Sequence, residues 1–144
     1  MSGNILVVDN AQGYRDEIGS KYGKKVIVYQ APTFKEAQKV FYESNGIALM
    51  VTELVDVRQE EVSIEQLVNF VREHNEQEYL PIIAFTTLGS RPRLKTIARD
   101  LRLDVVIQKQ YKEVLYAHIK TLLENPRKFY GNTRFHFLEK GFSL

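Results

Sequence analysis

The sequence predicts an α/β fold in which a parallel sheet lies between two layers of helices. Short, continuous apolar runs of strand length alternate with longer segments whose apolar residues recur at helical spacing. Five such strand–helix pairs follow one another within residues 1–125. This alternation is typical of parallel sheets with helices on both faces, whose strands are buried and therefore apolar throughout.

The apolar runs that we assign to strands are three to six residues long, and this length fits buried strands better than helices. They cover residues 5–8, 26–29, 47–52, 80–85 and 105–107. Crossovers between parallel strands are right-handed, which leaves few topologies. We therefore predict a flavodoxin-like, three-layer (βα)5 sandwich with a five-stranded parallel sheet in the order 2-1-3-4-5.

The predicted helices carry recognisable start and stop signals. Thr33 with Glu36, and Ser63 with Gln66, have the spacing of capping boxes that open the second and third helices. Helical periodicity predicts further helices over residues 13–22, 91–102 and about 111–125. Pro126 ends the last helix, because the residue before a proline avoids helical geometry. Residues 1–125 thus form one predicted domain, and residues 126–144 form a basic, aromatic extension.

Composition excludes several classes of function. The net charge of +2 is too small to indicate nucleic-acid binding by itself. The absence of cysteine rules out disulfides, thiolate metal sites and thiol nucleophiles. No apolar stretch approaches the roughly 20 residues that cross a bilayer, and no cleavable leader is visible. We therefore expect a cytoplasmic protein.

Polar residues end four of the predicted strands. Asp9 and Asn10 follow the first strand, Glu53 the third, Thr86 the fourth and Lys109 the fifth. The carboxyl ends of parallel strands meet at one edge of the sheet, where such folds bind and react. We therefore expect these five side chains to form one pocket. No glycine-rich phosphate loop follows the first strand, which argues against a nucleotide site at this edge.

The order of these pieces resembles the receiver domain of two-component response regulators. The resemblance covers about residues 3–125 and is carried by ILVVD at 5–9, LMVTE at 49–53, PIIAFT at 81–86 and VVIQK at 105–109. In receivers, two adjacent acids after strand one hold Mg²⁺, and an aspartate after strand three accepts a phosphoryl group. A Thr or Ser and a Lys contact the phosphoryl oxygens. The resemblance implies that Asp9, Thr86 and Lys109 keep these roles.

Several positions depart from the receiver pattern. Asn10 replaces the second metal-holding acid, and Glu53 replaces the acceptor aspartate. The extra methylene extends the Glu53 carboxylate by about 1.5 Å, enough to spoil near-attack geometry. The aromatic switch position three residues before the lysine is Val106, which has no ring to rotate. We interpret the chain as a degenerate pseudo-receiver in which Glu53 and Lys109 form a partly buried ion pair. Asp56 is the alternative acceptor.

Two surface features suggest partners. Five basic residues in or beside the fourth helix are candidates for protein binding, although such a run can be a solvated face: Arg91, Arg93, Lys95, Arg99 and Arg102. The extension interleaves basic and aromatic residues from Arg127 to Phe142, including Lys140. It could form an edge strand, pack on its own domain or support a homodimer. Binding of nucleic acid by this segment is the less favoured alternative.

These observations lead to three functional hypotheses. The first is a non-enzymatic signalling module that acts through protein contacts, is not phosphorylated, and binds no cofactor beyond weak Mg²⁺ at Asp9. The second is a working receiver with an atypical acceptor. The third is a small flavodoxin-like enzyme or ligand-binding domain. Phosphodonor and Mg²⁺ experiments separate the first two, and a bound small molecule would indicate the third.

Overall fold

A computed structural model describes residues 3–55, 62–75 and 78–137. Strands and helices alternate along the chain as predicted, but the described residues form six strands. The strands are β1 (Asn4–Val8), β2 (Val28–Ala31), β3 (Ile47–Thr52), β4 (Ile82–Thr86), β5 (Val105–Gln108) and β6 (Arg134–His136). The helices are α1 (Gln12–Tyr22), α2 (Phe34–Glu43), α3 (Ile64–His74), α4 (Arg91–Leu101) and α5 (Lys112–Glu124).

The sheet is parallel throughout and has the order β2-β1-β3-β4-β5-β6. The predicted order 2-1-3-4-5 is confirmed for the first five strands, but the predicted number of strands is wrong. β6 lies beside β5, with Phe135 in register with Val106. The sixth strand comes from the extension. An edge strand was one of the three alternatives for residues 134–137, and the structure shows it for residues 134–136.

The core divides into two clusters, one on each face of the sheet, which gives the predicted three layers. α2, α3 and α4 cover one face through residues such as Phe41, Leu67 and Leu94. α1 and α5 cover the other face through residues such as Ile18 and Leu115. Successive strand residues point to opposite faces, so β3 and β4, which are buried along their whole length, contribute to both clusters.

Both predicted N-cap residues cap their helices, and one of the two predicted capping boxes is complete. The Thr33 hydroxyl accepts a hydrogen bond from the Glu36 backbone N–H at 3.1 Å. Ser63 and Gln66 form the full reciprocal capping box. These caps fix where α2 and α3 begin, and therefore where the loops that follow β2 and β3 must end.

β6 is fastened to both helical layers. On the α4 side, Phe135 and Phe137 lie 5.6 Å apart between ring centroids, and the Arg91 guanidinium lies 4.6 Å from the Phe137 ring. On the α5 side, His136 Nε2 lies 2.9 Å from His118 Nε2. One imidazole must donate and the other accept, so at least one of them is neutral. Burial lowers the pKa of both histidines, which favours that neutral form.

No helix within the described ranges is long and apolar enough to cross a membrane. The alternative acceptor Asp56, and the extension residues Lys140 and Phe142, lie outside the described residues.

Candidate functional site

The carboxyl ends of β1, β3, β4 and β5 bring an acid–lysine cluster together. Lys109 Nζ lies 2.7 Å from Asp9 Oδ2 and 3.1 Å from Glu53 Oε1. All three side chains are less than one-tenth exposed. The structure therefore contains the predicted Glu53–Lys109 ion pair, and adds a shorter contact between the same ammonium group and Asp9.

Both oxygens of the Glu53 carboxylate are enclosed by hydrogen-bond donors. Oε2 accepts from the Thr86 hydroxyl and from the backbone N–H groups of Leu54, at 2.6 Å, and Val55, at 3.3 Å. Oε1 accepts from the Thr87 N–H at 3.1 Å and its hydroxyl at 3.2 Å, in addition to the lysine. The longer side chain of glutamate reaches across to the β4–α4 loop, so this carboxylate connects three strand ends.

Asp9 and Asn10 have different roles in the loop after β1. Asp9 Oδ1 accepts from the Ala11 backbone N–H at 2.9 Å, while Oδ2 faces Lys109. Asn10 Nδ2 donates to the Pro32 carbonyl at 2.8 Å, which ties this loop to the start of the α2 segment. The Asn10 amide nitrogen is thus directed toward the loop after β2. Arg15 supports the same loop by donating to the Asp9 carbonyl at 2.6 Å.

Two residues of the site, Tyr14 and Thr87, were not predicted from the sequence. The Lys109 ammonium lies 4.3 Å from the centroid of the Tyr14 ring, which packs edge-on against Phe85 at 5.6 Å. A cation over an aromatic face is attracted by the ring quadrupole. Thr87 could have been suspected because it follows Thr86 directly. Tyr14 lies in the first turn of α1, and nothing in the motif spacing marked it.

The cluster favours the charged forms of Glu53 and Lys109. Burial by itself raises the pKa of Glu53, but the Thr86 hydrogen bond, the Lys109 charge and the backbone N–H groups outweigh burial and lower the pKa. Burial by itself lowers the pKa of Lys109, but its hydrogen bond to Asp9 and the two negative charges outweigh burial and raise the pKa. Both shifts stabilise the ion pair.

The donor set does not fit a Mg²⁺ ion. Mg²⁺ requires several oxygen ligands in near-octahedral geometry. Here one Asp9 oxygen faces the Lys109 ammonium and the other caps a backbone N–H, while both Glu53 oxygens already accept hydrogen bonds. Within the described ranges, no group of three or more His, Cys, Asp or Glu side chains could hold a metal ion.

Val106, which the sequence resemblance aligns with a switch position, is fully buried in the core cluster beneath α4. Its neighbour on β6 is Phe135, which stands in register with it and packs against the same cluster. Residues in register on parallel strands point to the same face. An aromatic ring from the extension therefore lies beside the valine, one strand away from where the receiver pattern has a ring.

The basic residues predicted to bind a partner divide between two places. Arg91 lies at the start of α4 against β6, and Arg93 is exposed on the same helix. Lys95, Arg99 and Arg102 line a cleft at the opposite edge of the sheet from the acid–lysine cluster. The structure therefore does not bring the five cations together in one patch.

Comparison with known proteins shows the fold. No protein-family model matches the sequence, and no curated protein matches it. The chain is similar to the receiver domain of the Francisella response regulator 1452, with a TM-score of 0.69, 18% identity and coverage of 86% of this chain and 98% of that chain. It is also similar to the Vibrio cholerae chemotaxis protein CheY4, with a TM-score of 0.69, 17% identity and coverage of 84% and 98%.

A third similar structure is the receiver domain of a signal transduction histidine kinase from Syntrophus aciditrophicus, with a TM-score of 0.69, 19% identity and coverage of 88% and 94%. At these identities the likeness establishes a shared receiver-type α/β fold. This agrees with the fold that the sequence resemblance implied.

Proposed function

We propose that this chain is a receiver-like module of two-component or phosphorelay signalling that acts through protein contacts and has no catalytic activity of its own. Glu53 takes the place of the phosphoacceptor and is not phosphorylated. The observation that carries this proposal is the enclosure of the Glu53 carboxylate. Each of its two oxygens already faces at least three hydrogen-bond donors, with the Lys109 ammonium counted among them.

A phosphoryl acceptor must present a free oxygen in line with the leaving group, beside a metal ion that neutralises charge. Glu53 is 6% exposed, and Lys109 already supplies the counter-charge. The proposal also includes at most weak Mg²⁺ binding at Asp9, because that carboxylate would have to leave the lysine to coordinate a metal. The acid–lysine cluster is thus a fixed structural connection between strand ends.

The extension supports a mode of action based on protein contacts. Its described part, residues 126–137, adds a strand to the edge of the sheet and lies between α4 and α5. A protein partner that binds this edge of the sheet would therefore meet β6 and the flanking helices together. The homodimer proposed through residues 126–144 would use this same surface, and sedimentation of the intact chain tests it.

We expect no phosphorylated product when the native protein is incubated with acetyl phosphate and Mg²⁺. Intact-protein mass spectrometry should show no added phosphoryl group, because the only acid at the acceptor position is enclosed. A receiver domain with an acceptor aspartate, treated in the same tube, controls for the donor.

An adduct that tandem mass spectrometry assigns to Glu53 would replace this proposal with the working-receiver hypothesis. A parallel Mg²⁺ titration, followed by Tyr14 ring resonances, should show no saturation at concentrations that saturate the control receiver. Saturation at the same concentrations would contradict the weak-binding part of the proposal.

A further inference from the structure

A wide cationic cleft lies at the amino-terminal edge of the sheet, opposite the acid–lysine cluster. It has a volume of about 1090 Å³ and is bounded by the ends of α3 and α4, the segment after α5, and β6. Among the residues that the structure describes, five basic side chains and a single acidic one, Glu78, line it. Small-molecule sites typically occupy about 300–1,000 Å³, so the cleft can admit a compact ligand.

Aromatic rings and guanidinium groups are stacked along one wall of the cleft. Tyr79 lies between Arg72 and Arg127, whose guanidinium carbons are 5.6 and 5.4 Å from its ring centroid. Tyr130 meets Tyr79 edge-on at 5.0 Å and is 56% exposed. This wall therefore offers planar surfaces against which a further ring can stack.

The cations of the cleft differ in how strongly they already interact with other groups of the protein. Arg72 is fixed, because it lies 3.5 Å from the buried Asp104 and donates to the carbonyls of Leu101 and Arg102 at the end of α4. Its donation also offsets the negative end of the α4 dipole, which would otherwise repel an anion in the cleft. Arg72 thus prepares the site without being its main ligand.

The other cations remain accessible to a ligand. Arg127 pairs with Glu78 at 3.5 Å and Arg99 with Asp100 at 3.2 Å, but these side chains are largely exposed, and such surface pairs are weak. Within the described part of the chain, no ion pair reaches Lys95. An incoming anion can therefore compete for these groups.

Arg102 occupies an unusual backbone conformation at the rim of the cleft. It ends α4 with φ 53° and ψ 50°, and among the described non-glycine residues it alone has a positive φ. Glycine is the usual residue at this position of a helix end, and other residues incur a steric cost there. An arginine at this position places a guanidinium group in the cleft where a glycine would be more stable.

We propose that this cleft binds a nucleoside phosphate. Guanidinium groups bind phosphate oxygens in a bidentate manner. Lys95 and Arg102 supply charge from α4 and its carboxyl end, and Arg127 supplies it from the segment after α5. The exposed Tyr130 ring, beside the Arg127 guanidinium, provides the stacking surface for the base. The combination of a concave site, several available cations and aromatic rings favours this ligand over an acidic protein segment, which needs charge but no stacking surface.

The test uses ADP as the probe, titrated into the full-length protein at low ionic strength and followed by amide chemical shifts and calorimetry. We expect saturable shifts at the cleft residues and weaker binding of pyrophosphate, which lacks the nucleoside. Arg102→Gly should weaken ADP binding by about tenfold, because it removes a charge-assisted contact. This variant keeps the left-handed turn, so its thermal midpoint should equal or exceed that of the parent.

Arg93→Ala is the matched control, because it removes the same charge from an exposed α4 position outside the cleft. It should leave ADP affinity within about twofold of the parent, as expected for a distant surface charge. Three results would overturn the proposal: no saturable shift at the cleft, equal affinities for pyrophosphate and ADP, or an equal loss in Arg93→Ala and Arg102→Gly. Tighter binding of poly-glutamate than of ADP would also overturn it, in favour of an acidic protein ligand.

Discussion

Replacing Lys109 by methionine should lower the free energy of unfolding by about 3–5 kcal/mol, because it leaves two buried carboxylates without a counter-charge. The Lys109 side chain is 8% exposed and contacts both Asp9 and Glu53. Methionine keeps most of the volume of the lysine chain, so the loss reflects charge and hydrogen bonding. For a chain of this length the thermal midpoint should fall by roughly 10 °C, measurable by calorimetry or circular dichroism.

Lys112→Met provides the matched control. Lys112 also forms a lysine–carboxylate ion pair, with Glu17 at 2.9 Å, but the two side chains are 48% and 42% exposed. Solvent screens an exposed pair and little stability depends on it, so this variant should unfold close to the parent temperature. Similar losses in Lys109→Met and Lys112→Met would show that the acid–lysine cluster is not a distinct stabilising feature.

Ending the chain at Asn132 should destabilise the protein and cause it to self-associate. The truncation removes β6 and Phe137, which follows it, so that the Phe135 and Phe137 rings no longer pack against the core beneath α4. Burying an aromatic side chain fully contributes about 1.5–3 kcal/mol, so losing two partly buried rings should cost about 2–4 kcal/mol. The truncation also exposes the edge of β5, and exposed edges pair with other chains.

A chain ending at Phe137 is the control for this truncation, since it keeps every residue of β6. Analytical ultracentrifugation and chemical denaturation compare the two chains. We expect the chain that ends at Asn132 to have a larger apparent mass and a lower free energy of unfolding than the control. A shorter chain with the same apparent mass and the same stability as the control would show that β6 does not protect the edge of the sheet.

The sequence predicted the inner part of the fold well because those strands are buried on both faces. β3 begins and ends where its apolar run does, at Ile47 and Thr52. At the sheet edge the signal is weaker. β2 was predicted two residues too early, since Val26 and Ile27 are apolar but precede the strand, and Ile27 is 55% exposed. Pairing of Ile5 with Val28 sets the register there, and no local pattern reveals such long-range pairing.

For the same reason, the sequence left the edge strand β6 as one of three alternatives for its segment. Three residues carry too little periodicity to identify a strand, and an alternating pattern fits self-packing and dimerisation equally well. Its position depends on bonds to distant groups. Arg134 N–H donates to the Asp104 carbonyl at 3.0 Å, and the Thr133 hydroxyl donates to the Leu103 carbonyl at 2.6 Å.

Most of the candidate site could be predicted from the polar residues at the carboxyl ends of the strands. Lys109 contacts both Asp9 and Glu53, and Glu53 contacts Thr86, because parallel strand ends share an edge. Asn10 was expected to point the same way, but its amide nitrogen is directed toward Pro32, a loop contact that strand periodicity does not encode.

The pH at which Glu53 takes up a proton is the most direct test of its enclosure and of its ion pair with Lys109. Its carboxyl carbon can be followed by NMR between acidic and neutral pH and assigned with a Glu53→Gln variant. Because the pKa in the folded state is lowered, the ion pair stabilises the fold above the unfolded pKa, and this stabilisation is lost as the pH falls through the folded pKa. We predict that the Glu53 titration midpoint lies below that of glutamate in unfolded peptides. A midpoint at or above that value would contradict it, because the carboxylate would then be neither paired nor enclosed as described.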